Sequence, residues 1–316
     1  MTLENVLVLC APRGLMPVDT HQSLQKLQAA RAVIQDGGSQ TDVTLTRCIQ
    51  AATAFKMLKE RPSLEWVFWF DQDMVCEPSS VEALRDFSIR LSDSGLQAPD
   101  SELQQEKKSY PSLSGVYVNR HRQEPSVAAT KLKNEDVVVL NSPHAGASRP
   151  EPMFVPALTG MGCLLQHRTS FIAHCNESLQ FHYPVYGNLL PQICESRLAT
   201  KGEYDPYIDT IGDVETLYWM HEDFSYTLRE IKAGRRVFVA PVPFGHIVSS
   251  VLWPDSKTIF PGLQPSAIDS RPEEKTTSNF GPPTSADSRR PLEAPEGVKP
   301  IANNQAPITE SVLCPD

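Results

Sequence analysis

Two aspartates, Asp71 and Asp73, follow directly after an aromatic and β-branched run at residues 66–70. The run has the composition of a buried strand, so the acid pair stands where a strand ends. Side chains at positions i and i+2 of an extended segment point the same way. Both carboxylates can then share one divalent cation, whose remaining ligands are water and a substrate phosphate. Residues 66–78 alone fit a second interpretation equally well, in which the two acids end a strand and open a turn.

The segments around the acid pair predict an α/β sheet. Residues 6–10 indicate a buried first strand, and residues 20–35 and 44–60 have the apolar spacing of helices. The strand at 66–70 comes next, and a helix is predicted at 79–91, after Pro78. Sheets of this kind bind ligands at the ends of their strands.

The second half of the chain alternates predicted strands with less regular segments. In a small, apolar stretch at 155–166, Gly160 and Gly162 permit close backbone approach, either to a ligand or to a neighbouring strand. Residues 183–218 lose periodicity, and their aromatic content favours a long functional loop. The other predicted elements are strands at 114–120 and 236–241, a strand or hairpin pair at 127–131 and 137–140, and helices at 169–175 and from His221 to Gly234.

Composition narrows the class of protein. A formal charge of −9 and a pI near 5.4 argue against a broad nucleic-acid or membrane-binding face. Seven cysteines without a CxxC pair are typical of a reducing cytoplasm, and no apolar run approaches the length of a membrane span. Residues 266–316 are rich in Pro, Ser, Thr and Glu, which predicts a disordered tail after a folded domain at 1–265.

An ordered set of short segments resembles the nucleotide-sugar-dependent glycosyltransferases of the GT-A fold, particularly the family 2-like enzymes of bacteria and bacteriophages. The resemblance covers most of residues 3–250 and implies a Rossmann-like, mostly parallel sheet with helices on both faces. The segments that carry it are strand 6–10 with its Pro12 loop, Thr46-Arg47, Asp71 to Met74, Gly115 to Tyr117, Gly160 to Leu165, Glu222-Asp223, and the strand from Gly234 that ends at His246.

The resemblance also implies roles for individual residues. Asp71 and Asp73 would flank the diphosphate of a nucleotide-sugar, expected to be a UDP-sugar, with Mn²⁺ or Mg²⁺ between them and His246 as a further metal ligand. Asp223 corresponds to the catalytic base of the family and Glu222 to the acid beside it, which favours inversion by single displacement. The donor-binding residues that it implies are Ala11, Pro12 and Arg13 at the nucleoside, Arg47 at the base or a phosphate, Gly160, Met161 and Gly162 at the donor sugar, and Gln72, together with Asp71, within the acid motif.

Other functions are compatible with parts of the sequence. Asp71 also fits the first motif of haloacid-dehalogenase-like phosphatases, in which this aspartate is the nucleophile. A non-catalytic protein that binds a nucleotide-sugar would carry the same donor site. For a transferase the acceptor hydroxyl is open between a glycan, a protein and a modified DNA base, and the expected location is the cytoplasm of a bacterium or of a phage-infected cell.

Overall fold

The described part of the chain contains sixteen strands and six helices. The computed structural model describes residues 2–11, 16–36, 42–94, 110–117, 129–140, 152–185, 187, 189–213, 215–247 and 251–252. The strands are β1 (Val6–Ala11), β2 (Val33–Asp36), β3 (Trp66–Asp71), β4 (Met74–Val75), β5 (Ser112–Val116), β6 (Ala129–Lys131), β7 (Val138–Val139), β8 (Met153–Thr159), β9 (Cys163–His167), β10 (Gln180–His182), β11 (Leu189–Pro191), β12 (Arg197–Thr200), β13 (Leu217–Met220), β14 (Val237–Pro243), β15 (Gly245–Ile247) and β16 (Val251–Leu252). The helices are α1 (Val18–Ala29), α2 (Val43–Glu60), α3 (Pro78–Asp93), α4 (Arg168–Glu177), α5 (Lys201–Tyr204) and α6 (Glu222–Lys232).

A nine-stranded mixed sheet forms the centre of the fold. Its order is β2-β1-β3-β9-β5-β14-β8-β6, and β7 pairs with β8 outside this path. The pairings of β1 with β2 and β3, and of β5 with β14, are parallel, whereas β9 and β8 run antiparallel to their neighbours. The predicted α/β class is therefore confirmed.

Alternation along the strands divides the core between the two faces of the sheet. In β1, Val6 and Val8 pack with apolar residues of α1 and α3, whereas Leu7 and Leu9 pack with residues of α2, α4 and α6. Successive side chains of a strand point to opposite faces, so continuous apolar runs such as β1 and β3 are buried on both sides. Helices accordingly cover both faces of the sheet.

Three predicted elements differ from the structure. The helix predicted at 20–35 ends at Ala29, where Arg31 takes a left-handed φ of 70°, and the β-branched residues that follow form β2. The predicted irregular stretch at 183–218 contains β11, β12, α5 and the start of β13, because strands of three or four residues are too short to show a period. The two segments at 129–140 do not pair with each other, since β6 and β7 both pair with β8.

Every described residue belongs to one unit of dense internal contacts, Met1–Arg271, and none belongs to the second unit, Pro272–Asp316. The predicted domain boundary at 265 and the predicted disorder of 266–316 lie outside the described residues. Among the described helices, none combines the length and the apolar character that crossing a bilayer requires.

Candidate functional site

The acid pair lies where β3 leaves the sheet. Asp71 is the last residue of β3, and its backbone N–H donates to the Gly162 carbonyl at 3.1 Å. Gln72 and Asp73 form a turn into β4, and the Gln72 carbonyl accepts from the Thr20 hydroxyl at 2.7 Å. The prediction of one extended segment from Asp71 to Asp73 is therefore wrong, because the turn replaces the strand alternation on which it relied.

A short antiparallel sheet brings Asp73 and His246 together. β4 pairs with β15, with Met74 opposite His246, and the backbone N–H of Ile247 donates to the Asp73 carbonyl at 2.7 Å. The His246 Nε2 and Asp73 Oδ2 atoms are 3.4 Å apart, with 8% and 23% of the two side chains exposed. The His246 and Tyr117 rings are perpendicular to each other at a centroid distance of 5.8 Å. Two predicted metal ligands more than 170 residues apart in sequence are thus neighbours.

Arg47 joins two further predicted site residues beneath the surface. Its side chain is 2% exposed, and Nη2 donates to Asp71 Oδ1 and Oδ2 at 3.0 and 3.1 Å. Nη1 donates to Asp223 Oδ1. The Glu222 Oε1 atom lies 3.5 Å from the same nitrogen. The guanidinium therefore faces three carboxylates of the protein itself.

The carboxylates of Glu222 and Asp223 lie in the first turn of α6. Acids at this position interact favourably with the unpaired N–H groups of a helix start. The second Glu222 oxygen accepts from the Ser196 hydroxyl at 3.2 Å, which connects α6 to the segment before β12. The Asp223 side chain is 27% exposed, so it stays accessible to a ligand while it contacts Arg47.

The glycine segment between β8 and β9 lies against both acid groups. A Cβ at Gly160 would lie 2.1 Å from the Tyr117 hydroxyl and 3.3 Å from Asp223 Oδ2. A Cβ at Gly162 would lie 3.4 Å from Asp71 Oδ2. Met161 is buried between them, and its sulfur is 3.6 Å from Arg47 Nη1. The sequence predicted a close backbone approach at the two glycines, and the groups that approach them include the carboxylates of Asp223 and Asp71.

Burial and charge shift the pKa of two groups in this cluster. Burial disfavours the charged form of Arg47, but Asp71 and Glu222 outweigh it and raise the guanidinium pKa, so Arg47 stays cationic. Burial, together with the nearby Cys163 and Asp71, raises the pKa of Tyr117 well above its ordinary value, so its hydroxyl stays protonated. Sequence reasoning did not assign Tyr117 to the site. The predicted strand at 114–120 placed Tyr117 inside the strand, whereas β5 ends one residue before it, at a strand end where site residues are often found.

The cluster is strongly anionic. With His246 neutral, its four carboxylates and one guanidinium give a formal charge of −3. Among the described residues, no group of three or more His, Cys, Asp or Glu side chains is arranged to hold a metal ion alone. Asp73 and His246 offer one oxygen and one nitrogen ligand, which fits a cation whose other ligands come from a substrate phosphate and water.

Other predicted donor-binding residues are placed less fully. In the sheet register Ala11 is the neighbour of Asp71, which puts the end of β1 beside the end of β3. Gln72 lies in the turn between Asp71 and Asp73. Pro12 and Arg13 lie outside the described residues.

Comparisons with known proteins give little guidance about this chain. No protein-family model matches it, and no curated protein matches it. Among solved structures, A197 from STIV is similar, with 12% sequence identity and a TM-score of 0.39 over 78% of this chain and 86% of that one. A glycosyltransferase involved in the glycosylation of the major capsid of PBCV-1 is similar with 10% identity and a TM-score of 0.25, over 57% of this chain and 71% of that one. At TM-scores below 0.5, neither similarity assigns a family or an activity.

Proposed function

We propose that this protein is a metal-dependent glycosyltransferase that moves a sugar from a nucleotide-sugar to a hydroxyl acceptor. The observation that carries the proposal is the meeting, in one partly exposed cluster, of the acids after β3, the imidazole of β15, the glycine segment before β9 and the first turn of α6. These segments supply, in one place, ligands for a cation, the two glycines that the resemblance places at the donor sugar, and a carboxylate able to accept a proton.

The charge of the cluster supports the requirement for a metal ion. A diphosphate is itself an anion, so a site with a formal charge of −3 would repel it in the absence of a cation. Asp73 and His246 would hold Mn²⁺ or Mg²⁺, with Asp71 next to them at the end of β3. When bound, the ion would neutralise the charge that develops on the leaving diphosphate.

Asp223 is the group that we assign to proton transfer. The acceptor oxygen would bond to the anomeric carbon while the bond from that carbon to the diphosphate oxygen breaks, and Asp223 would take the acceptor proton. The nucleoside diphosphate leaves with the electron pair of the broken bond, and the anomeric configuration inverts. General base catalysis of this kind contributes about 10²–10⁴-fold to a rate. Glu222 would assist from the same helical turn.

The donor is expected to lie along the ends of β1 and β3. Ala11 with Pro12 and Arg13 would contact the nucleoside, Gln72 the diphosphate, and the backbone at Gly160 and Gly162 the sugar. Met161 is fully buried and would support this segment from within. A UDP-sugar is the donor that we propose, and the acceptor is a hydroxyl of a glycan, a protein or a modified base. We propose a cytoplasmic location, since none of the six described cysteines forms a disulfide.

The contacts of Asp71 disfavour the phosphatase alternative. A nucleophilic aspartate needs an oxygen free to attack phosphorus, whereas both Asp71 oxygens lie within 3.1 Å of Arg47 Nη2. A non-catalytic binding protein would share the donor contacts, so only turnover separates it from a transferase.

A donor panel with matched variants tests the proposal. Purified protein is incubated with Mn²⁺ and a set of nucleotide-sugars, and is scored for thermal protection and for slow donor hydrolysis. We expect one donor to protect and to be hydrolysed, Asp71→Asn and Asp73→Asn to lose both, and Asp223→Asn to retain protection but lose turnover. Asp86→Asn, an exposed acid on α3 with 59% of its side chain accessible, is the matched control and should behave like the wild type. Full protection and turnover in EDTA by all three site variants would refute the assignment.

A further inference from the structure

The resemblance to glycosyltransferases implies that Arg47 contacts the base or a phosphate of the donor, and the structure gives its side chain different neighbours. Only 2% of the side chain is exposed. Its two terminal nitrogens donate hydrogen bonds to carboxylates of two separate segments, Nη2 to Asp71 and Nη1 to Asp223. A group buried and hydrogen-bonded in this way has little surface left for a ligand.

The shape of the guanidinium matters to this arrangement. Arginine presents its donors in a rigid planar fork, whereas a lysine ammonium is a single point charge. One of the two carboxylates that the fork binds comes from the end of β3, a strand of the central sheet, and the other from the start of α6, a helix outside that sheet. One planar group can therefore fix the distance between two carboxylates that the backbone does not hold directly.

The exposed sides of the two carboxylates support the same interpretation. Asp71 and Asp223 are 31% and 27% exposed, whereas Arg47 lies behind them. Each of the two aspartates thus contacts the buried guanidinium on one side, while another part of its side chain stays open to solvent.

We propose that Arg47 is a positioning residue whose guanidinium sets the relative placement of Asp71 and Asp223 and does not touch the donor. The consequence for the reaction rests on the proposed function, whereas the coupling between the three side chains does not. Misplacement of a reacting group by about 1 Å can lower a rate by about 100-fold. Loss of the fork should therefore lower kcat, while donor affinity stays nearly the same.

The kinetic test uses Arg47→Lys, which keeps the charge and loses the fork, and Arg47→Met, which keeps the length and loses the charge. Rates are normalised to the fraction of protein that binds UDP with Mn²⁺, measured by calorimetry. We expect kcat to fall about 10- to 100-fold in both variants, with the donor KM and the UDP Kd within about 3-fold of wild type. Arg31→Lys, at a 70% exposed arginine, is the control and should be unchanged. If Arg47→Met does not fold, Arg47→Lys alone decides.

Other results would overturn the inference. A rise of about 10-fold or more in the UDP Kd with kcat unchanged would show that Arg47 contacts the donor. A wild-type kcat in Arg47→Lys would show that a positive charge at this position is enough and that the planar fork is not needed. Additive losses of kcat when Arg47→Lys is combined with Asp223→Asn would show that Arg47 does not act through Asp223, because residues that act as one unit are non-additive.

A second measurement separates failure of this inference from failure of the proposed function. Urea unfolding of Arg47→Met, Asp223→Asn and the double variant gives their coupling without any substrate. Non-additive effects on the unfolding equilibrium, together with no turnover in the wild type, would support the role of Arg47 in placing the two aspartates and would refute the transferase assignment. Additive effects, with a wild type that does turn over, would overturn the inference about Arg47 alone.

Discussion

Replacement of Gly160 by alanine should destabilise the protein because Tyr117 already occupies the space that a methyl group would need. The added Cβ would lie 2.1 Å from the Tyr117 hydroxyl, whereas real Cβ atoms essentially never show contacts under 3.0 Å. The phenol is buried, and its ring lies perpendicular to the His246 ring at a centroid distance of 5.8 Å, so it cannot swing into solvent. Overpacking of this kind costs about 1–3 kcal/mol, which corresponds to a loss of about 2–12 °C in Tm.

Gly162→Ala is the matched control for this prediction. Its Cβ would meet Asp71 Oδ2 at 3.4 Å and the Met74 sulfur at 3.5 Å, both ordinary contacts. Its free energy of unfolding should therefore stay within about 0.5 kcal/mol of wild type. Because Gly162 is proposed to line the donor sugar, this variant should lose turnover while it keeps its stability.

The clash itself can be removed by Tyr117→Phe, which deletes the hydroxyl that the new methyl group would meet. The nearest remaining atoms would then be Asp223 Oδ2 at 3.3 Å and Tyr117 Cζ at 3.4 Å. In urea unfolding, Gly160→Ala should cost at least about 1 kcal/mol less in the Tyr117→Phe background than in wild type. Equal costs in both backgrounds, or equal costs for Gly160→Ala and Gly162→Ala, would refute the steric argument.

Two further predictions concern groups outside the proposed site. Burial, reinforced by Arg168, lowers the pKa of His167 from 6.5 to about 4, although Glu65 opposes the shift. The unfolded chain therefore takes up the proton first as the pH falls, so the stability is complete above about pH 6.5 and decreases towards pH 4. His167 caps α4 through its ring nitrogen, and an asparagine at this position should keep the cap. The free energy of unfolding, measured with urea, should therefore change between pH 7 and pH 5 by about 1 kcal/mol less in His167→Asn than in wild type, a value already reduced for solvent screening. An unchanged pH slope would contradict this. The fully buried Glu230 carboxylate lies 2.5 Å from His174 Nδ1 and accepts from Arg235 Nε at 2.9 Å, so Glu230→Gln should cost about 3–5 kcal/mol. Glu60→Gln, at a 60% exposed acid, should cost less than about 1 kcal/mol, and similar losses from the two changes would refute the role of the buried network.

Long apolar or strongly periodic segments made much of the sheet predictable. β1 and β3 are continuous apolar runs buried on both faces, and α2 and α3 carry clear start signals, an aspartate cap and a proline. β2 was missed because Ile34 follows Leu27 by seven residues, a spacing that also fits a helix. The left-handed turn at Arg31 that ends α1 has no such sequence pattern.

The candidate site was predictable in its residue types and not in its contacts. Acids after a strand and acids at a helix start are visible in sequence, as are closely spaced glycines. The contact between Asp73 and His246 depends on the pairing of β4 with β15, two strands of two and three residues that no periodicity reveals. The position of Arg47 between Asp71 and Asp223 arises from the packing of three segments that lie far apart in sequence.

Manganese binding in the presence and absence of UDP tests the central claim most directly. In the proposed site Asp73 and His246 would supply two ligands, so a diphosphate would be needed to complete the coordination of the ion. Titration of the protein with Mn²⁺, with free Mn²⁺ measured by electron paramagnetic resonance, should show binding that is at least about 10-fold tighter with UDP than without it, and Asp73→Asn should abolish that gain while Asp86→Asn keeps it. Equal Mn²⁺ affinity with and without UDP, or undiminished UDP binding in EDTA, would contradict the account.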